Sequence, residues 1–332
     1  LLSEPLTSTI DDGLLVRGNA LNGDEAYLVV RYEYAPGFDE IDALSVGGQV
    51  QYWVNEHVKL GLTANSNEQG DIDSELNAAD ITLRRSAQTW LKLQSGQSEG
   101  FITSVMRSND GGFGFNGLDD ASFVTADAGA TRTDVSVGLN DFFSIRRGQI
   151  TAYKQEVDAG YAAPGLQTLT DMRTYGGSFV MPITNSLSVA LKADRRIHDE
   201  GIETEARELD VGWEVNDYWS FSSGIREDTR RDASPELPLT QTEGERRDAV
   251  VQVGYDSHRK WSAFGYVQET VATTGTIEEN ARVGVGGDYR ISDNLRIDME
   301  VSDGDLGRGG RIGTNYMHSE RTSLYMNYAL EN

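Results

Sequence analysis

The chain has 332 residues with no Cys, 36 Gly and 6 Pro, and its 53 Asp+Glu against 29 Lys+Arg give a formal net charge of -24. The lack of Cys excludes a disulfide scaffold and any Cys-ligated zinc or iron–sulfur centre. The acidic balance argues against a nucleic-acid partner, since phosphate would be repelled and the Lys and Arg residues are scattered. Gly has no fixed period and aromatics reach 9%, so collagen-like and low-complexity classes fall away.

A helix that crosses a bilayer needs roughly 20 consecutive, mostly apolar residues. Here the apolar runs are short, as in Tyr27–Val30. The opening Leu1–Pro5 lacks the basic and apolar regions of a secretory signal, so the expectation is a processed chain or a piece of a longer one. Insertion as a closed sheet stays open, because such a wall spreads its apolar residues one in two.

Taken in chain order, the dominant period is two. Leu28, Val30, Tyr32 and Tyr34 oppose Val29, Arg31 and Glu33. Leu187, Val189, Leu191 and Ala193 oppose Ser188, Ala190, Lys192 and Asp194, and Leu209, Val211, Trp213 and Val215 oppose Asp210, Gly212 and Glu214. Val283, Val285, Gly287, Tyr289 and Ile291 share one face, with Arg282, Gly284, Gly286, Asp288 and Arg290 on the other. In Leu295–Val301 every odd position is apolar and every even one charged, and Leu324, Met326, Tyr328 and Leu330 close the series. No sustained stretch has helical spacing, so an all-β chain is expected.

Short polar turns punctuate the strands at Asn55–His57, Ser86–Gln88, Asn140–Asp141, Thr184–Ser186, Asn216–Asp217, Ser257–Arg259, Ser292–Asn294 and Ser319–Arg321. Between them lie Gly- and acid-rich stretches read as longer loops: Asn67–Ser74, Ser98–Ser122, Ala159–Asp171, Asp232–Gly244 and Gly304–Gly309. This alternation fits strands that run between two different solvents, and the punctuation yields about 16–18 of them, 17 by direct count. Tyr52, Trp53, Phe142, Phe143, Trp213, Tyr218, Trp219, Trp261 and Tyr289 sit at or near the short turns, as an interfacial aromatic girdle requires. A soluble β-sandwich would alternate too, but its strands are shorter, with comparable connections at both ends.

The segments Gly176–Val189 and Val283–Asp298 carry a resemblance to bacterial outer-membrane β-barrel proteins of the porin-like kind, covering residues 26–331. The resemblance implies a transmembrane antiparallel β-barrel over residues 26–332, after a lead-in at 1–25, with short periplasmic turns and long extracellular loops. It implies a location in the bacterial outer membrane and a lipid bilayer as partner. Such barrels end on an aromatic residue, whereas this chain ends Leu330-Glu331-Asn332, and an odd strand count departs from the even rule. A missing closing strand, in a barrel that is part of a larger surface protein, is therefore expected, with envelope or surface proteins as further partners.

With apolar faces on lipid, the polar faces line a lumen. Its candidate residues are Arg31, Glu33, Arg84, Lys192, Asp194, Asp210 and Arg226, followed by Arg282, Asp288, Arg290, Arg296, Asp298 and Glu300. Dry, unpaired charges would cost several kcal/mol each, so they must be hydrated or paired across strands. Two readings follow: a transverse field across a pore, or ion pairs that merely brace the wall. Glu99–Ser122, with Phe113 and Phe115, is the candidate for a loop folded inward, the alternative being a plain surface loop.

No catalytic, cofactor or metal site is expected. His57, His198, His258 and His318 lie near no nucleophile in a recognisable motif. His198-Asp199 with Asp119 and Asp120 is similar to the rim Asp and His of barrel proteases, but no spacing constrains it. Asp71–Glu75 and Asp303–Asp305 lack the full Ca²⁺ loop and read as solvated turns. The sequence thus favours a passive pore for small hydrophilic solutes. A barrel that anchors or exports a larger surface region, and a soluble secreted β-protein, are the alternatives.

Overall fold

The computed structural model describes residues 43–331, apart from 70–71, 102–105, 108–115, 118–124, 144–147, 164–165, 169, 200, 234–242 and 320–321. Twenty strands account for nearly all of it. The first half comprises β1 (Ala43–Asn55), β2 (Val58–Gln69), β3 (Ile72–Arg84), β4 (Trp90–Phe101), β5 (Met106–Arg107), β6 (Asn116–Gly117), β7 (Thr125–Gly138), β8 (Gln149–Val157), β9 (Ala162–Ala163) and β10 (Leu166–Gln167). The second comprises β11 (Met172–Pro182), β12 (Leu187–His198), β13 (Ile202–Glu214), β14 (Trp219–Asp232), β15 (Gly244–Asp256), β16 (Trp261–Gly275), β17 (Arg282–Ser292), β18 (Leu295–Gly304), β19 (Gly307–Ser319) and β20 (Thr322–Glu331).

Sixteen of these form one antiparallel sheet in the order β1-β2-β3-β4-β7-β8-β11 and onward without interruption to β20. The two short pairs β5–β6 and β9–β10 decorate connections. Because sixteen is even, the edge strands β1 and β20 run antiparallel to each other, the sense in which an up-and-down sheet closes on itself. The count of 17 included Leu28–Tyr34, which lies outside the described residues together with Arg31 and Glu33.

Among the described residues, the short turns read from sequence fall at one end of the sheet. There the side chains read from sequence close the hairpins. Asn55 Oδ1 accepts from the His57 and Val58 amides at 2.8 and 3.0 Å, and Asn216 Oδ1 from those of Tyr218 and Trp219 at 2.9 and 3.0 Å. His258 takes a left-handed φ of 53° beside Ser257. At the opposite end, two stretches expected as long loops are strand instead. Asn67 pairs with Ser74 and Gln69 with Ile72, while Gly304 pairs with Gly307. Polar residues there continue the ladder past the apolar zone, so the acid-rich composition reflects wet strand rather than irregular backbone.

The Asn140–Asp141 connection folds as a 3₁₀ turn, Leu139–Asp141, whose Asp141 carboxylate accepts from the hydroxyls of Ser86 and Thr89 on the neighbouring turn. Those two hydrogen bonds hold its pKa below the usual 3.8. A group with a depressed folded pKa stabilises above its unfolded pKa, and that contribution disappears as pH falls through the folded value. Asp141→Asn is therefore expected to lower the urea midpoint at pH 7, with the gap to wild type closing below about pH 3–4. A gap that does not change with pH would show that the charge plays no part.

The polarity of the sheet is inverted relative to a water-soluble protein. One face presents Val50, Leu62, Leu209, Ile225, Val267, Val285, Met299 and Tyr328 to the exterior, with Val50 70% and Val285 57% exposed. Cross-strand register aligns these into rows: Ile150, Phe179, Leu191, Leu209 and Ile225 are successive partners from β8 to β14. The other face buries charge, with Arg226 and Arg246 at 2% and 1% exposure. The apolar clusters on that inner face are small: Leu76, Ala128, Ala130, Val157 and Tyr161 form one, and Val250 with Tyr266 the other.

Candidate functional site

The inner wall is built from a spacing of two. On a strand, residues i and i+2 share a face, so Arg-x-Asp presents both charges to one side. Three of its occurrences are sealed: Arg132-Thr133-Asp134 on β7, Arg226-Glu227-Asp228 on β14 and Arg246-Arg247-Asp248 on β15. In each the guanidinium folds back onto its own strand's carboxylate, at 2.8, 2.9 and 2.8 Å. Antiparallel pairing then sets Arg226 opposite Asp248 and Asp228 opposite Arg246, a quartet of alternating sign. Glu208 of β13 extends it, taking Arg226 Nη1 at 3.1 Å and Lys192 Nζ at 3.3 Å. Asp210 stands 4.0 Å from the same Lys192. At the far side Thr270 Oγ1 donates to Asp248 at 2.6 Å.

Two chain segments lie over this inner face. Residues 158–163 and 166–168 fold back through Gly160 N to Thr168 O at 2.7 Å, and the Ala162 amide reaches Ser98 Oγ at 2.9 Å. This seats Tyr161 among Leu76, Ala128 and Val157. Residues 276–280 cover β15 and β16, with the Asn280 amide on Thr270 Oγ1 at 2.8 Å, Gln268 Nε2 on Asn280 O at 2.9 Å and Arg246 Nη1 on Glu278 O at 3.3 Å. Tyr161–Ala163 and Thr168 thus fold inward. Phe113 and Phe115, on the stretch expected to do this, lie outside the described residues.

Across β17–β19 the inner face is different. Asp288 pairs with Arg296 at 2.7 Å, and Arg311 stands 3.6 Å from Glu300 and 3.9 Å from Asp298. These guanidiniums are 58% and 57% exposed, so this part of the wall is wet. Tyr266 OH donates to Glu300 at 3.0 Å, its ring lying flat over Gly284, where a Cβ would collide with it. Two sectors result: a dry ionic lattice over β13–β16 and an open charged strip over β17–β19.

Of the candidates from sequence, Lys192, Asp210 and Arg226 meet in the dry lattice. Asp194 lies 3.4 Å from Tyr153 OH. Arg282 donates to Ser302 Oγ at 3.0 Å, and Asp288, Arg296, Asp298 and Glu300 share the wet strip. Arg290 is exposed beside the Ser292–Asn294 turn, and Arg84 caps Glu56 O at 3.2 Å with its guanidinium 4.2 Å over the Trp53 ring. Sequence reading passed over Arg132, Asp134, Glu208, Asp228, Arg246 and Asp248; the repeated Arg-x-Asp spacing was the signal that marks most of them.

Among the aromatics, Tyr52, Trp213, Trp219, Trp261 and Tyr289 stand on the apolar face at the short-turn end, with Trp261 and Tyr289 register partners. Tyr255, not anticipated, packs against Trp219 at 4.9 Å and Trp261 at 5.1 Å. Tyr218, Phe142 and Phe143 are exposed on the turns. Trp53 departs from the girdle: its register partner is Lys59, whose Nζ lies 5.7 Å from the ring, so parity sets it on the ionic face. Outward charge begins eight residues beyond the aromatic end, at Glu227 after Trp219 and Glu269 after Trp261. With about 3.3 Å per residue and a tilt near 40°, the apolar zone is about 20 Å tall, close to the thickness a barrel presents to hydrocarbon.

No protein-family model and no curated protein matches the chain. Solved structures similar to it include the KdgM porin, at 12% identity over 58% of this chain and 94% of that one, TM-score 0.33. The siderophore receptor PirA from Acinetobacter baumannii is 8% identical over 86% of this chain and 58% of that one, TM-score 0.49. A bacterial polysaccharide outer membrane secretin is 8% identical over 86% and 88%, TM-score 0.40. The β-barrel fold of this chain rests on its own wall: apolar outside, ionic inside, and, among the described residues, sixteen strands up and down.

Proposed function

We propose that the chain is a bacterial outer-membrane channel, without catalysis of its own, that passes small hydrophilic solutes passively along the β17–β19 side of its interior. The observation that supports this is the contrast between the two sectors. The charges of β14 and β15 are sealed and serve to brace the wall, whereas Arg296, Asp298 and Arg311 face open space. Alternating signs on the wet strip leave little net field, and the formal net charge of -24 makes the remaining preference a weak one for cations.

Ohmic current steps in a planar bilayer test the reading, and a chain that inserts without conducting overturns it. Arg311→Glu should raise the cation-to-anion permeability ratio on the order of twofold. The effect is modest because a wetted charge is screened within about 8–10 Å. A second reading, a barrel that anchors or exports a larger surface region, is favoured by the inward cover of residues 158–163, 166–168 and 276–280. The same recording separates the two, since an anchor inserts but carries no steps.

A further inference from the structure

On the outer face, between β8 and β15, lies a recess of about 600 Å³ that the channel reading leaves unused. Its lower wall is apolar, formed by Ile150, Phe179, Leu191, Leu209 and Ile225, and its floor is cut low at Gly177 and Ala193. Its upper rim carries Arg207 and Arg247 on either side of Glu227. Arg247 reaches Glu227 through Nε at 3.0 Å and through Nη2, while Arg207 Nη1 stands off at 3.8 Å and its Nη2 pairs with Glu205. Both guanidiniums are more than half exposed, and each keeps N–H donors beyond those bonds.

We propose that this recess seats one phosphate-bearing lipid of the surrounding bilayer. The acyl chain lies along Phe179, Leu191, Leu209 and Ile225, and the phosphate bridges Arg207 and Arg247. The inference rests on the membrane-barrel reading. A bare apolar groove would take any chain, but here the apolar wall ends where two cations begin, the order of parts along a phospholipid. Guanidinium also matches the planar fork of oxygens that a phosphate offers. Without the lipid, Arg207 pairs with Glu205 and Arg247 with Glu227, and each guanidinium keeps N–H donors unused by those bonds at the upper end of the apolar wall.

The test uses purified chain in an uncharged maltoside detergent. The ligands are phosphatidylglycerol, diacylglycerol of the same chains, and water-soluble glycerol phosphate. Native mass spectrometry and the thermal unfolding midpoint give the readouts. Expected is one retained phosphatidylglycerol per chain with a raised midpoint, and at least tenfold weaker retention of the other two. Arg207→Gln with Arg247→Gln should abolish the difference between phosphatidylglycerol and diacylglycerol. Equal retention of those two lipids by wild type, or undiminished phosphatidylglycerol binding by the double variant, would overturn the proposal. Insertion into neutral phosphatidylcholine vesicles is measured alongside. A chain that inserts yet shows no lipid preference removes the lipid site alone, while one that fails to insert removes the barrel reading with it.

Discussion

Arg226→Met is expected to destabilise the folded chain by about 3–5 kcal/mol. The guanidinium is sealed and serves two carboxylates at once, Glu208 Oε2 at 3.1 Å and Asp228 Oδ1 at 2.9 Å. Removing it strands both in a space that water does not reach, and each isolated charge then costs several kcal/mol even after relaxation. The lattice as a whole is another matter. Replacing Glu208, Arg226 and Asp228 together by Gln, Met and Asn should recover most of the loss, since desolvation is then relieved on both sides of the bond. Urea midpoints of the single and triple variants, in the same detergent, check this. A single-variant loss under ~1 kcal/mol, the range of exposed ion pairs, would show that water enters the β13–β15 wall.

The second large effect belongs to the opposite face. Val285→Arg, at the middle of the apolar zone, is expected to cost about 2–4 kcal/mol when unfolding is measured in lipid vesicles. In a protein surrounded by water, a 57% exposed valine accepts arginine within about 0.5 kcal/mol, because nothing is buried and nothing is lost. The two environments thus predict different numbers for one change. Asp288→Arg faces the interior from a nearby register and supplies the control: it alters an ion pair with Arg296 but puts no charge in hydrocarbon. A neutral Val285→Arg would place water outside this wall and end the barrel reading.

Register explains why so much of the wall was readable one residue at a time. In Leu295–Val301 the face of each side chain follows from parity alone, and Met299 and Glu300 fall on the exterior and interior as their chemistry demands. The short turns were legible for a similar reason, since Asn55 and Asn216 close their own hairpins with atoms two and three residues away. Parity also corrects the reading of Trp53. Adjacent to Tyr52, it was grouped with the girdle by its position near a turn, yet one residue moves it to the face of Lys59 and Arg84. The length of the connections misled for a different reason. Polar strand beyond the apolar zone has the composition of a loop, as at Asn67–Ser74.

Local sequence therefore determined what depends on nearest neighbours along the chain: strand, turn, and which face each residue takes. Strand pairing alone decided which charges meet. Nothing within Arg226-Glu227-Asp228 says that Asp248 will stand across from Arg226, or that Glu208 will take its free edge, because those partners are separated by loops of variable length. The division into a sealed lattice and a wet strip arose in the same way. It depends on residues 276–280 folding back over β15 and β16 and not over β17–β19, and so on packing between elements that parity does not fix.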